Sequence, residues 1–323
     1  MRMQPGDRNR NAQQLLRITD SPGTDQDSYV CILKCGACGY IYGCNSTDAV
    51  QRKCPACQQG RPGNDIPTER DGEDWSREEH IIAFNLYSQI PFGSIHMRNP
   101  KVIELAAVLG RKVGSVSYKL ANFSRLDPAL QARGIRGMPR GAKGEEAVWA
   151  EFANHAEQLA FESARLLAER LGQSLESVAE IEVDDLPPPG VEREAIVRLR
   201  VNQCFFRRRV LSAYQHRCCV TGLPIQSLLV ASHIVPWADD AANRLNPRNG
   251  LCLNALHDRA FDRGLMCVDE QMRVRFSVQL RKEAAEAADW LLAFDGRQLI
   301  LPPKFSPDAA FLAHHRERWR TAA

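Results

Sequence analysis

Residues 228–265 read LLVASHIVPWADDAANRLNPRNGLCLNALHDRAFDRGL, and they predict the fold of the C-terminal part of the chain. An apolar run typical of a strand ends at His233, and a polar loop follows this histidine. Asn249 and Gly250 come next, before a short segment of helical character that carries His257 and Asp258. The order predicts a small α+β unit in which imidazole groups, suited to proton transfer and to metal binding, share one site.

Asn249 lies about 16 residues after His233, and His257 lies eight residues after Asn249. This order resembles the HNH endonuclease family, which has a ββα-metal fold. The resemblance implies that His233 deprotonates water for in-line attack on a phosphodiester. It also implies that Asn249 holds the loop and orients that histidine, and that His257 binds a divalent ion, Mg²⁺ or Mn²⁺.

One position departs from the family pattern. Many HNH enzymes carry Asp or His directly before the catalytic histidine as a second metal ligand, and this chain has Ser232 there. We expect Asp258 to supply the missing carboxylate next to His257, with Asp262 or water as the alternatives.

The resemblance covers about residues 74–282. The lead-in at 197–222 is similar to a bacterial HNH subfamily of restriction endonucleases, and Gln203, Phe206 and Arg207 fit its Q-x-x-F-R signature. The resemblance implies a restriction or anti-phage defence enzyme that cleaves double-stranded DNA. Because a lone ββα-metal site cuts one strand, cleavage of a duplex suggests a homodimer. A nicking or homing-type enzyme of a mobile element, and a non-catalytic DNA-binding regulator with a relic HNH domain, are the alternatives.

Six of the eleven cysteines lie between Cys31 and Cys57, and four of them form two C-x2-C pairs. Four thiolates satisfy the tetrahedral coordination of a structural Zn²⁺, and so small a segment needs the metal in order to fold. The segment is similar to zinc ribbons and to a rubredoxin knuckle, which leaves iron as the alternative. The predicted ligands are Cys35, Cys38, Cys54 and Cys57.

Two short helices joined by a glycine-containing turn follow, over residues 101–109 and from about 115 onward. They predict a helix-turn-helix, with an ordinary helical bundle as the alternative. In the first case Lys119, Asn122 and Arg125 would face a DNA groove. The triplet Arg207, Arg208 and Arg209 would contact phosphates, or else lie at a solvated helix edge.

The chain as a whole is predicted to be an α+β multidomain protein. Its expected parts are a mobile tail (1–28), a zinc ribbon (29–62), a helical DNA-binding module (74–145), a long acidic helix (146–185), a Pro-rich linker (186–192), an HNH nuclease domain (193–282) and a helical C-terminal extension (283–323).

Charge is distributed unevenly along the 323 residues. Residues 95–144 carry a net charge of +8, residues 145–194 a net −10 and residues 191–282 a net +7. Two basic blocks around an acidic one are expected for a partner that is a polyanion.

No apolar run reaches the length of a membrane span, and no apolar leader begins the chain, so we expect a cytoplasmic protein without a membrane partner.

Overall fold

A computed structural model describes residues 3–135, 141–179, 181, 186–284 and 289–321. The chain divides into two compact units. The first comprises residues 1–88 and 92–201, and the second comprises residues 89–91 and 202–323. Within the described residues, no helix is both long and apolar enough to cross a bilayer.

The first unit begins with a three-stranded antiparallel sheet in the order β1-β2-β3, formed by Gln13–Pro22, Tyr29–Cys35 and Ile41–Asn45. Both of its faces are covered. Leu15 and Leu33 belong to the apolar cluster that includes the cysteines, whereas Leu16 and Ile32 pack with Ala107 in a second cluster. Double-sided burial explains why β1 shows no polar–apolar alternation. The prediction of a mobile tail over 1–28 is therefore wrong for residues 13–22.

Helices α1 (Arg77–Gln89), α2 (Pro100–Leu109) and α3 (Val113–Phe123) follow, and the short α4 spans Pro128–Gln131. Asn99 caps α2 by accepting from the Lys101 amide, and Gly110 ends it with φ of +68°, a conformation that favours glycine. The apolar residues along one side of α3 are fully buried. They are Val116, Leu120 and Phe123.

The long helix expected over 146–185 is instead several shorter ones: α5 (Lys143–Phe152), α6 (Ala156–Leu171) and α7 (Leu175–Val178). The break lies at residues 153–155, where the His155 ring bonds the Glu151 carbonyl and the His155 amide donates to Phe152. Such local bonds compete with the helical ladder. Residues 180 and 182–185 of the predicted acidic stretch lie outside the described residues.

Helix α8 (Val191–Ala213) belongs to the first unit up to Val201 and to the second from Asn202. The second unit continues with a hairpin of β4 (Leu229–His233) and β5 (Gly250–Asn254), then α9 (Ala255–Asp262). A second hairpin pairs β6 (Met266–Val268) with β7 (Val274–Phe276).

The chain ends with α10 (Val278–Ala284), α11 (Asp289–Leu292) and α12 (Ala309–Thr321). The extension expected to be helical over 283–323 is thus only partly so, because residues 296–308 form no helix and Gln298 bridges to Arg273. Residues 285–288 lie outside the description.

Candidate active site and metal centre

The β4–β5 hairpin brings the two halves of the predicted motif together. The strands run antiparallel, and His233 at the end of β4 lies opposite Gly250 at the start of β5. Helix α8 crosses close behind this point. A Cβ atom on Gly250 would come within 2.5 Å of Val210 and 2.9 Å of Phe206, so only glycine fits.

His233 is held on three sides. Its ring stacks on Phe206 with centroids 3.8 Å apart, and it meets the Trp237 ring edge-on at 5.5 Å. Its Nε2 lies 2.9 Å from the carbonyl oxygen of Arg244. Because a carbonyl only accepts, Nε2 carries the proton, and Nδ1 of the neutral ring keeps its lone pair. Burial lowers the pKa of His233, although the bond to Arg244 opposes that shift. The ring is therefore neutral at pH 7.

Asn249 is buried and fastens the loop that follows His233. Its Oδ1 accepts from the Val235 amide at 2.8 Å, and its Nδ2 donates to the carbonyls of Val235 at 3.1 Å and Asn243 at 3.3 Å. The backbone oxygen of Asn249 also accepts from the Ile234 amide. These bonds hold the residues directly after His233, as the prediction of an orienting role requires.

His257 lies in the interior, with no exposed surface. Its Nδ1 bonds the Asn254 side chain at 2.9 Å, and its ring lies edge-on to Phe294. Burial lowers the pKa of His257 to about 4. Within the described residues, its Nε2 has no hydrogen-bond partner.

Asp258 follows His257 on α9, and consecutive helical side chains point about 100° apart. The half-buried Asp258 carboxyl has a raised pKa, because burial disfavours its charge and Asp262 adds repulsion. Ser232 of β4 lies close enough to favour the carboxylate. The Ser232 hydroxyl is buried and makes no hydrogen bond of standard geometry among the described residues. Oxygen atoms of Ser232, Asp258 and Asp262 thus share one side of α9.

Residues 218–269 match the family model for HNH endonuclease. This segment is therefore an HNH endonuclease domain. The match contains β4, β5 and α9 together with the loop that joins the strands. No curated protein matches the chain.

Two of the three consecutive arginines of α8 donate hydrogen bonds to backbone carbonyls of the same unit. Arg207 donates to the Leu229 carbonyl at 2.8 Å, and Arg209 donates to the Leu245 carbonyl at 3.0 Å. All three side chains are half-buried. Phosphate contact by the triplet stays a prediction, because these bonds use only some of the N–H donors of Arg207 and Arg209.

The four cysteines of the two C-x2-C pairs converge in the first unit. Their sulfur atoms all lie within 4.8 Å of one another, with 3.6 Å between Cys35 and Cys57 and between Cys38 and Cys54. Ligands about 2.3 Å from a tetrahedral zinc lie about 3.8 Å apart, so the cluster fits Zn²⁺. It is the only group of three or more Cys, His, Asp or Glu ligand atoms at such spacing in the part of the chain that the structure describes.

The electrostatics of the cysteine site also suit a metal. Burial raises the pKa of Cys35, but the amides of Cys38 and Ala37 and the Cys57 thiol outweigh it and lower the value to about 6. The Ala56 amide likewise points at the Cys54 sulfur, 3.4 Å away. Backbone donors thus favour the thiolate at both knuckles, although burial still leaves the pKa of Cys54 above its usual value.

The residues predicted to face a DNA groove surround Glu145 of α5 instead. The Lys119 amine lies 2.6 Å from its carboxylate, and the Asn122 amide lies 3.0 Å from it. Both side chains are buried. Arg125 is mostly covered and pairs with Glu146 at 2.9 Å. The prediction of DNA contacts is corrected here, because these groups neutralise a buried carboxylate.

Proposed function

We propose that the HNH domain hydrolyses DNA phosphodiester bonds, with His233 as the general base. The observation that carries this proposal is the state of the His233 ring. Its Nε2 is fixed by the Arg244 carbonyl, and its Nδ1 makes no hydrogen bond to any described residue. A neutral imidazole with one free nitrogen can accept a proton from water.

Each neighbour of His233 supports this role. Phe206 holds the plane of the ring and excludes water from one of its faces. The Arg244 carbonyl fixes the tautomer, and it stabilises the imidazolium that forms once the proton has been taken. Asn249 keeps the loop after the strand in place, so that Nδ1 stays at a constant position.

We propose that the divalent ion, Mg²⁺ or Mn²⁺, is held by Asp258 and Asp262 with Ser232. The Ser232 hydroxyl supports this assignment, because it lies beside the Asp258 carboxyl, is buried and makes no hydrogen bond of standard geometry among the described residues. Oxygen ligands also suit these hard cations. When bound, the ion would stabilise the charge that develops on the phosphate and the leaving oxygen. His257 is left out of the set, because its ring is fully buried and its Nδ1 is bonded to the Asn254 side chain.

In the first unit, we propose that the four cysteines bind one structural Zn²⁺ as a zinc ribbon. The sheet supplies part of the core by itself, and the metal ties the two knuckles to it. We still propose that α2 and α3 form a helix-turn-helix that contacts DNA. The side chains that surround Glu145 are not part of that contact.

For the biological role we propose restriction or anti-phage defence, acting as a homodimer on duplex DNA. The similarity of residues 74–282 to bacterial restriction endonucleases supports this role. Purified protein should cut unmodified and modified phage DNA at different rates. Equal rates would favour the nicking or homing alternative.

The central experiment compares His233→Ala with His314→Ala, an exposed histidine of the same unit. Both proteins are incubated with supercoiled plasmid and Mg²⁺ or Mn²⁺, with EDTA as the blank. Loss of a general base costs about 100- to 10,000-fold in rate, so His233→Ala should be inactive while His314→Ala keeps full activity. DNA binding by His233→Ala should stay near wild type. Retained cleavage by His233→Ala would overturn the assignment.

A further inference from the structure

The loop between β4 and β5 is fixed at three consecutive carbonyl groups. Asn249 donates to the Asn243 oxygen at 3.3 Å, His233 to the Arg244 oxygen at 2.9 Å and Arg209 to the Leu245 oxygen at 3.0 Å. The donors come from β4, from the residue that precedes β5 and from α8. A loop held in this way presents its middle residue, Arg244, in one position beside the proposed base.

The Arg244 side chain is fixed as well. Its Nε donates to the Trp237 carbonyl at 2.8 Å, and its guanidinium carbon lies 5.5 Å from the centre of the Trp237 ring. The His233 ring lies 5.5 Å from that same centre. One tryptophan therefore contacts both the proposed base and a guanidinium group.

The two Nη groups of Arg244 are free for an anion. No carboxylate among the described residues lies within ion-pair distance of them, and the side chain is only half-buried. Asp239 pairs with Arg318, and Asp240 caps the residues that follow it, so the nearest acids of the loop are engaged elsewhere. A preorganised guanidinium with two free nitrogens fits the two oxygens of a phosphate.

We propose that Arg244 binds the scissile phosphodiester, and that Trp237 positions it relative to His233. The inference rests on the proposed function, since it concerns the substrate of that site. Arg244 then contributes twice: its carbonyl fixes the base, and its guanidinium stabilises the negative charge that grows on the phosphate during attack.

The test compares Arg244→Gln and Arg244→Lys with Arg248→Gln. Arg248 is an exposed arginine of the same loop, paired with Asp308 at 3.1 Å, and serves as the matched control. Cleavage of plasmid DNA at saturating protein should fall about 100- to 1,000-fold in Arg244→Gln, the usual loss for one preorganised donor. Arg244→Lys should recover part of the rate, and Arg248→Gln should stay within about threefold of wild type. DNA binding in Ca²⁺ should weaken less than about tenfold.

The pH profile separates this role from simple support of the loop. If Arg244 only held the loop, its removal would loosen the bond to His233 and shift the acidic limb of the cleavage profile. We expect the limb to stay in place while the plateau falls. Cleavage by Arg244→Gln at the rate of Arg248→Gln, or a shifted acidic limb, would overturn the inference and leave the endonuclease proposal intact. Wild-type protein that cuts no DNA would overturn the proposed function itself.

Discussion

The buried charges around Glu145 in the first unit and the β4–β5–α9 site in the second unit use polar side chains in opposite ways. Around Glu145 each charge has its counterpart inside the protein: Lys119 and Asn122 bond the carboxylate, and Arg125 lies 3.6 Å from it. Around His233, the Asp258 and Asp262 carboxyls form no ion pair among the described residues, and the buried Ser232 hydroxyl makes no hydrogen bond of standard geometry there.

This difference affects how the charge pattern of the sequence is interpreted. A basic block with net charge +8 indicated a polyanion partner, yet several of its cations serve to bury acids of the same unit. Unsatisfied buried atoms occur in both regions, since Asn122 Oδ1 and Arg125 Nε also lack a hydrogen-bond partner among the described residues. The two regions differ in ion pairing: the acids beside His233 have no cation within ion-pair distance in the part of the chain that the structure describes, whereas Glu145 has two.

The largest expected effect concerns the metal proposed for the first unit. Cys57→Ser should abolish zinc binding and unfold the N-terminal sheet, because structural zinc is worth about 10 kcal/mol or more in small domains. Metal content by elemental analysis and the near-UV spectrum report both changes. Cys204→Ser on α8 is the control and should keep one zinc per chain. Finding iron in the wild-type protein, with a visible charge-transfer band, would favour the rubredoxin alternative over zinc.

The next effect tests which side chains hold the catalytic ion. Asp258→Asn and Asp262→Asn should each raise the Mn²⁺ concentration for half-maximal cleavage by more than about 100-fold, since even outer-shell partners are worth about 10- to 100-fold. Glu270→Gln, an exposed acid of the same unit, is the control. His257→Gln should lower the melting temperature without this shift. A large Mn²⁺ shift in His257→Gln alone would restore the histidine as ligand.

The third effect tests whether the charges around Glu145 are structural. Glu145→Gln should lower the free energy of unfolding by about 3 kcal/mol, because it leaves the Lys119 ammonium buried without its carboxylate. Glu151→Gln on the same helix breaks an exposed pair with Arg77 and should cost less than about 1 kcal/mol. Thermal or urea unfolding measures both. If Lys119→Met instead weakened DNA binding and flattened its salt dependence without loss of stability, the contrast between the two regions would fail.

Sequence spacing was sufficient for the centre of the HNH domain. His233, Asn249 and Gly250 could be found because the motif is local, and the strand, turn and helix each have their own signals. The neighbours of His233 could not be found in this way. Trp237 and Arg244 gave no signal beyond their place in the polar loop, because their importance depends on how that loop folds back over the ring.

Long-range partners explain the remaining errors. The partner of Lys119 lies 26 residues away on α5, so a helical wheel of α3 alone places the amine on a polar and solvent-facing side. Strand β1 was not predicted, because both of its faces are buried. Its sequence therefore has no alternation of polar and apolar residues, which marks most strands. The contact between Ser232 and Asp258 depends on which face of the hairpin α9 covers.

The smallest effect is a pH dependence of stability that belongs to the second unit. The His315 ring stacks on Phe261 at 3.7 Å, and burial lowers its pKa to about 4, against an ordinary value of 6.5. Between these values the unfolded chain binds a proton that the folded chain does not, so stability is complete above about pH 6.5 and is lost as the pH falls toward 4. The loss should reach about 1 kcal/mol per buried histidine at pH 5.5. His315→Gln should flatten the urea-unfolding profile between pH 7.5 and 5.5, whereas His314→Gln, on the exposed side of α12, should leave its slope unchanged. An unchanged slope in His315→Gln would show that the ring is protonated without opening the fold, and the second unit would then be looser around α12 than its packing indicates.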